Sequence, residues 1–335
     1  MIQSTASADS NSEPKPLVAP ATPWQGPMIE LQNLTRIFGS TKAVDGVSFM
    51  VPRGSVFGYI GPNGAGKTTS MRILATLELP TDGDAFVEGL SSSNDPDRVR
   101  TRLGFMPDAF GTYGNTNCIE YLDFFARSSG LIGRERTRRL RWVIDFTGLR
   151  PLAEKPITGL SKGMRQRLCL GRSLLHDPSV LILDEPAAGL DPRARIELRH
   201  IIRSLAADGK TILISSHILS ELAEMCDRVG IIEQGRLLAN DTVAGLRKTS
   251  NRQVDIAVKI DGEVERARQI LEGLDFVSEV VTKVDVISLR INGGKDRQVE
   301  TLQHLCQSDV RVLEYRVVDE SLEDLFLKVT SGNVQ

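Results

Sequence analysis

Apolar residues follow two different periods along this chain, and each period predicts a different element. In the first stretch they recur at every second position, as at Val47, Phe49 and Val51, which predicts antiparallel strands. The apolar run at residues 56–60 then leads through a glycine-rich turn into a helical pattern over residues 67–77. A strand, a loop and a helix in this order are typical of a parallel, doubly wound sheet.

The same kind of unit recurs in the middle of the chain. Apolar runs at residues 180–183 and 211–215 flank an amphipathic helical pattern and predict a second strand–helix–strand unit. Residues 116–176 predict a mostly helical region, and residues 231–238 predict a hairpin. We therefore expect an α/β fold with a parallel sheet, preceded by antiparallel strands and containing a mostly helical region.

The pattern changes after a polar stretch at residues 248–252. The order strand, helix, two strands, helix, strand and short helix then predicts a small α+β domain of the split βαβ kind. We expect a tail over residues 1–27, a main domain over 28–248 and an accessory domain over 249–330. The tail is rich in Ser, Ala, Asp and Pro and has neither the basic start nor the apolar core of a signal peptide. It therefore indicates a disordered segment on a cytoplasmic protein.

Composition and charge exclude several classes of protein. The chain has 41 Lys and Arg against 43 Asp and Glu, a formal net charge of -2, so no global positive field favours nucleic acid. No apolar run approaches the roughly 20 residues that a membrane-spanning helix needs. The cysteines, at positions 118, 169, 226 and 306, are scattered singly and predict reduced core thiols.

A glycine-rich segment at residues 61–68 carries the clearest chemical signal. It reads GPNGAGKT, which matches G-x-x-x-x-G-K-[ST], and it lies between a predicted strand and a predicted helix. Backbone N–H groups of such a loop face an anion, Lys67 neutralises the β and γ phosphates, and the Thr68 hydroxyl binds Mg²⁺. The predicted nucleotide-binding residues in this segment are Gly61, Pro62, Asn63, Gly64, Ala65, Gly66, Lys67, Thr68 and Thr69.

Two adjacent acids follow the apolar run at residues 180–183. Asp184 is placed to hold Mg²⁺ beside the phosphate loop, and Glu185 is placed to act as the general base for an attacking water. Two acids with these two roles suggest hydrolysis. The alternative is structural, because a buried strand followed by exposed acids is a common pattern.

A second motif opens a predicted helix, with Ser161 as its N-cap. Its residues are Leu160, Ser161, Lys162, Gly163 and Met164. Together with the phosphate loop, the paired acids, the segment at residues 188–192 and His217, this motif resembles the signature of the ATP-binding-cassette (ABC) ATPases. The resemblance covers about residues 28–245.

The resemblance implies a RecA-like core with an antiparallel wing and a helical subdomain. It also implies a homodimer in which two copies enclose two ATP molecules. Each site would combine Lys67, Glu185 and His217 of one copy with the signature residues of the other, and would use ATP and Mg²⁺. His217 would contact the γ-phosphate, and a core histidine is the alternative. Phe38 falls where the family stacks an aromatic ring on adenine, and the alternative is a core aromatic at a strand end.

The sequence departs from the family pattern in two places. Asp108 stands where the family generally has Gln, which leaves two alternatives: Asp108 is an outer-sphere acceptor for Mg²⁺, or its shorter side chain does not reach the ion. Lys162 and Met164 replace the usual Gly and Gln of the signature. Both substitutions resemble those of the exporter subgroup, whose members work with a separate permease. The motif at residues 321–327 resembles the end of an additional C-terminal domain that this subgroup often carries.

The expected function is therefore that of the ATP-hydrolysing subunit of an ABC exporter. It would work as a homodimer on a separate transmembrane permease, at the inner face of the plasma membrane, without nucleic acid. The alternative is a soluble ABC ATPase acting on ribosomes or DNA. The single phosphate loop argues against action on ribosomes, and the short spacing between Lys67 and Leu160 argues against action on DNA.

Overall fold

The computed structural model describes residues 24–109, 111, 115–218, 222, 224–245 and 253–318. Most of the predicted tail, the polar stretch at residues 248–252 and the short helix predicted near residue 321 lie outside the described residues. Where the described chain begins, Arg53 Nη2 donates a hydrogen bond to the Trp24 carbonyl at 3.0 Å, and the Trp24 ring packs against Gly89. Residues 24–27 are therefore held against the main fold.

The described strands and helices follow one another along the chain. The strands are β1 (Ile29–Phe38), β2 (Thr41–Val51), β3 (Val56–Ile60), β4 (Asp82–Val87), β5 (Leu90–Ser91), β6 (Leu103–Met106), β7 (Val180–Leu183), β8 (Thr211–Ser216), β9 (Arg228–Glu233), β10 (Arg236–Thr242), β11 (Gln253–Ile260), β12 (Val277–Lys283), β13 (Val286–Asn292) and β14 (Val312–Val318). The helices are α1 (Lys67–Leu74), α2 (Pro96–Arg100), α3 (Cys118–Ser128), α4 (Gly133–Phe146), α5 (Lys162–Leu174), α6 (Pro192–Ala207), α7 (Val264–Glu272) and α8 (Lys295–Gln307).

The largest sheet has parallel strands in the order β9-β3-β8-β7-β6, and β10 pairs antiparallel with β9 at one edge. Every residue of β3, β7 and β8 is buried, because apolar clusters cover both faces of the sheet. Val56 and Ile60 pack on one face, whereas Phe57 and Tyr59 pack on the other. The carboxyl ends of these strands meet at one edge, where ligands bind in open α/β sheets.

The predicted antiparallel wing is a four-stranded sheet in the order β2-β1-β4-β5. Its inward residues Leu31, Phe49 and Val87 join the same apolar cluster as α1 and one face of β3. The expected hairpin is also present, because Glu233 of β9 pairs with Arg236 of β10. The wing and the hairpin therefore bring β2 and β9 to the side of the glycine-rich loop.

The predicted helical region contains α3, α4 and α5. The Asn117 side chain accepts the Glu120 N–H and the Glu120 side chain accepts the Asn117 N–H, so both polar groups cap the start of α3. Tyr121, Val143 and Leu168, one from each helix, are buried in a common apolar cluster. Among the described residues, no helix combines the length and the apolar character needed to cross a membrane.

The last described unit is an antiparallel sheet in the order β12-β13-β11-β14. β13 inserts between β11 and β12, which is the split βαβ arrangement that the sequence pattern predicts. Ile256 and Leu289 of the sheet form an apolar cluster with Leu271 of α7 and Leu305 of α8. The predicted α/β fold class is confirmed, whereas the division into domains at residues 27 and 248 stays a proposal.

Candidate active site

The glycine-rich loop joins β3 to α1 and is packed tightly on two sides. A Cβ at Gly61 would lie 2.2 Å from the Ile232 carbonyl oxygen, and a Cβ at Gly66 would lie 2.3 Å from the Ala43 carbonyl oxygen. Gly66 also has a φ of 103°, a conformation that side chains other than glycine rarely adopt. Only glycine fits at these two positions, so the loop presents its backbone N–H groups at the start of α1.

Lys67 is the first residue of α1 and is only 5% exposed. Its Nζ donates hydrogen bonds to the Gly61 carbonyl at 2.6 Å and to the Pro62 carbonyl at 3.0 Å, and lies 3.6 Å from Glu185 Oε1. Burial lowers the pKa of the Lys67 ammonium, and the neighbouring Glu185 and Asp184 carboxylates oppose this shift. The ammonium is thus held at the mouth of the loop by oxygen acceptors.

Asp184 follows β7 and is buried beside the start of α1. It accepts a hydrogen bond from Ser215 Oγ at 2.6 Å on Oδ1 and another from the Thr68 side chain. Burial raises the pKa of the Asp184 carboxyl, the two hydroxyls lower it, and the charges of Glu185 and Asp108 raise it again. The sheet therefore brings the predicted metal residues Thr68 and Asp184 into contact, and Asp108 acts on Asp184 through its charge.

This donor set fits Mg²⁺ in a phosphate site. No group of three or more His, Cys, Asp or Glu side chains that could hold a metal ion occurs in the described part of the chain. Mg²⁺ bound with nucleotide, however, needs only one or two carboxylates and completes its shell with water and phosphate oxygens. A buried carboxylate with a raised pKa beside a hydroxyl meets that need, because a cation would favour its ionised form.

Glu185 has an unusual backbone conformation, with a φ of 48°. Its N–H donates to Ser215 Oγ at 2.8 Å, and its Oε2 is 2.9 Å from His217 Nδ1. Its Oε1 is buried and makes no hydrogen bond. Ser215 therefore holds the Glu185 backbone and His217 holds its carboxylate, while Oε1 lies 3.6 Å from Lys67 Nζ in an ion pair.

His217 and Phe38 are not core residues. The His217 side chain is 40% exposed, and Phe38 is 44% exposed at the end of β1. The hairpin that follows Phe38 abuts the phosphate loop through Ala43, whose carbonyl faces Gly66. The structural alternatives for His217 and Phe38 do not fit these exposures.

The signature residues lie away from the phosphate loop of the same chain. Ser161 caps α5 by accepting the Met164 N–H at 3.3 Å, and both Ser161 and Lys162 are exposed. Gly163 packs against Leu190 and Ala194 instead. No hydrogen bond or ion pair among the described residues joins the signature to Lys67 or Glu185.

Sequence reasoning missed Ser215 as part of the site. Its buried hydroxyl accepts the Glu185 N–H and donates to Asp184, so one side chain connects the two acids. The signal was available, because Ser215 is the fifth residue of β8 and comes two positions before His217. The sequence pattern includes Ser215 only in the apolar run at residues 211–215.

Comparison with known proteins gives a consistent result. The family model described as ABC transporter matches residues 44–188. The bacitracin transport ATP-binding protein BcrA of Bacillus licheniformis is 33% identical over 306 residues, which cover 91% of this chain and 98% of that protein. The probable multidrug ABC transporter ATP-binding protein YbhF of Escherichia coli (strain K12) is 39% identical over 223 residues. The aligned residues cover 67% of this chain, and the chain spans only 38% of the length of YbhF.

Solved structures share the fold. An ATP-binding subunit of an ABC transporter aligns with a TM-score of 0.61 and 30% identity over 66% of this chain and 92% of its own. The ATP-binding cassette MJ0796, described as a dimer bound to ADP and Pi, aligns with a TM-score of 0.59 and 23% identity over 64% of this chain and 99% of its own. With the BcrA match, these likenesses confirm the resemblance drawn from the motifs. The chain belongs to the ABC transporter family, as one of its ATP-binding ATPase proteins.

Proposed function

We propose that this chain hydrolyses ATP as the nucleotide-binding subunit of an exporter and drives a transmembrane permease on another chain. The observation that carries the proposal is the cluster at the carboxyl edge of the parallel sheet. There Lys67 pairs with Glu185, Glu185 contacts His217, and Thr68 donates a hydrogen bond to Asp184. The relatives reported above carry multidrug and bacitracin transport names, which supports export as the process that ATP powers.

The residues divide the chemistry of phosphoryl transfer among them. Lys67 and the loop N–H groups would offset the phosphate charge, which grows in the transition state. Glu185 Oε1 would accept the proton of the attacking water, because its described contact is the 3.6 Å ion pair with Lys67 and it makes no hydrogen bond. His217 would hold the Glu185 carboxylate in place through its 2.9 Å contact.

Thr68 and Asp184 would hold Mg²⁺, which would help to neutralise the β and γ phosphates. The Ser215 hydroxyl would keep the Asp184 carboxylate oriented for that role, because it donates to Oδ1. Asp108 is exposed at the end of β6 and acts on Asp184 through its charge. We therefore assign Asp108 to coupling with the permease more than to hydrolysis.

Each ATP site would be completed by a second copy of the chain. Ser161 and Gly163 stand at the N-terminus of α5, where a hydroxyl and free N–H groups favour an anion. Within one chain these groups contact the start of α6 and not the phosphate loop. A head-to-tail homodimer would place them on the partner's γ-phosphate, as in the family pattern.

The permease contact is proposed on the helical region. Phe124 is 54% exposed on α3. Ile119, also on α3, and Ile132, directly before α4, are exposed as well. Exposed apolar side chains in one region mark a protein–protein contact more often than isolated ones do. The contact with the permease would hold the subunit at the inner face of the plasma membrane.

The unit at residues 249–330 would serve as an accessory domain.

The test combines hydrolysis with assembly in the purified full-length chain. Glu185→Gln should keep ATP affinity, stop hydrolysis and form a dimer with ATP and Mg²⁺ on size-exclusion chromatography, because an amide cannot accept the proton. Glu197→Gln, on the surface of α6, is the matched control and should behave as wild type. A Glu185→Gln chain that stays monomeric and hydrolyses ATP at the wild-type rate would refute the proposal.

A further inference from the structure

We propose that Arg36 is a positioning residue, which holds the Phe38 ring by stacking on one face so that the other face receives the base of the nucleotide. This inference rests on the proposed ATP-binding function and adds a residue to it. Arg36 belongs to none of the motifs of the sequence. Its role follows from what its side chain contacts.

The Arg36 side chain lies on the Phe38 ring. Its Cζ is 4.4 Å from the ring centroid, within the distance at which a guanidinium is attracted to an aromatic face. Arg36 and Phe38 are two positions apart on β1, and the guanidinium reaches the ring directly. One ring face is thus covered by protein, and Phe38 nevertheless remains 44% exposed.

A second contact fixes the guanidinium itself. Arg36 Nη2 is 2.6 Å from Glu78 Oε1, and both side chains are less than a quarter exposed. Glu78 lies in the loop that follows α1, the helix that begins at the phosphate loop. The loop is also tied to β1 by the Ile37 N–H, which donates to Thr81 Oγ1 at 3.0 Å. Arg36 therefore links the aromatic ring to the loop that follows α1, the helix that begins with Lys67.

The ring stands where a base would arrive. Phe38 pairs with Thr41 across the β1–β2 turn, and Ala43, two residues further on, presses its carbonyl against Gly66. The strand β2, which follows the turn after Phe38, is thus in direct contact with the loop proposed to hold the phosphates. A nucleotide with its phosphates on the loop would extend its base toward this turn.

Holding the ring matters because an exposed aromatic side chain at a turn would otherwise sample several rotamers. Fixing it beforehand removes an entropic cost from binding. A cation on one ring face also draws electron density away from the other, which favours stacking of an electron-rich base. A contact of this kind at a partly exposed site corresponds to about a two- to fivefold change in affinity.

The experiment separates the base from the phosphates by using two probes, ATP and inorganic tripolyphosphate, each with Mg²⁺. Dissociation constants are measured by calorimetry on the full-length chain for wild type, Arg36→Met, Arg36→Lys, Phe38→Ala and the double variant Arg36→Met with Phe38→Ala. Arg98→Ala is the matched control, because Arg98 pairs with Asp95 at 3.2 Å and stacks on no ring among the described residues. Thermal unfolding without nucleotide confirms that each variant is folded.

Arg36→Met should weaken ATP binding about two- to fivefold and leave tripolyphosphate binding unchanged, since it removes the cation but keeps a side chain of similar length. Arg36→Lys should retain more ATP affinity than Arg36→Met. On the Phe38→Ala background, Arg36→Met should add no further loss, because the ring it positions is gone. Arg98→Ala should match wild type with both probes.

Three results would overturn the inference. They are an unchanged or tighter ATP affinity in Arg36→Met, an equal loss for ATP and tripolyphosphate, and a loss that adds fully to that of Phe38→Ala. Failure of the proposed function looks different. If wild type binds ATP no tighter than tripolyphosphate, base stacking on Phe38 is wrong, and if it binds neither probe, the nucleotide site is wrong.

Discussion

Replacing Ser215 by alanine tests whether one buried hydroxyl holds the two acids of the site in place. Its Oγ accepts the Glu185 N–H at 2.8 Å and donates to Asp184 Oδ1 at 2.6 Å. Ser215→Ala removes the hydroxyl and therefore both hydrogen bonds at once. It leaves a buried N–H without an acceptor and takes a hydrogen bond from a buried carboxylate.

The size of the effect follows from these two losses. A hydrogen bond to a charged group stabilises a protein by about 1.5–3 kcal/mol, and an unsatisfied buried N–H costs about 1–3 kcal/mol. We therefore expect Ser215→Ala to lower the free energy of unfolding by about 3 kcal/mol. Ser173→Ala is the matched control, because Ser173 is also buried but donates only to the neutral Leu170 carbonyl at 2.7 Å. It should cost about 1 kcal/mol.

The stability that Ser215→Ala loses should also depend on pH in a defined direction. Burial raises the pKa of Asp184 in the folded protein, so ionising this carboxyl costs stability as the pH rises through that raised value. The Ser215 hydrogen bond lowers the pKa, and its removal raises it further. The gap in unfolding free energy between Ser215→Ala and wild type should therefore widen from acid to neutral pH.

Urea denaturation followed by circular dichroism at several pH values measures these free energies, and steady-state ATPase assays measure the effect on Glu185. The turnover number should fall by roughly tenfold or more, because the Glu185 backbone loses the acceptor that holds it. The reasoning is refuted if Ser215→Ala is no less stable than Ser173→Ala, or if the gap is the same at all pH values.

Three further predictions concern the rest of the site and the chain. Lys67→Ala should abolish ATP hydrolysis, because it removes the charge that offsets the phosphates, and unchanged turnover in the purified chain would disprove the phosphate-loop role. Asp108→Ala should leave the basal ATPase rate nearly intact and lower the permease-stimulated rate, whereas complete loss of basal activity would make Asp108 part of the Mg²⁺ site. Truncation after Thr249 should leave a folded chain that binds ATP, since the apolar cluster of β11–β14 is separate from those of the preceding sheets, and aggregation would place the boundary elsewhere.

The sequence by itself determined the order of the elements and the identity of the main chemical groups. Periodicity located β3, β7 and β8, because strands buried on both faces appear as short apolar runs. Local motifs located Lys67, Asp184 and Ser161, because glycine turns, strand ends and helix caps depend on neighbouring residues. The split βαβ order of the last unit also follows from local pattern, since a hairpin and two crossover helices leave few ways to pair four strands.

The tertiary structure decided which residues far apart in the chain meet. Ser215 follows Asp184 by about thirty positions, and only the parallel pairing of β7 with β8 brings its hydroxyl to the acids. Arg36 and Glu78 are 42 positions apart in the chain, and only the packing of the wing against the loop after α1 joins them. A hydroxyl in an apolar strand and an arginine on a surface strand have no local pattern of their own. Their roles come from partners that the folded chain supplies.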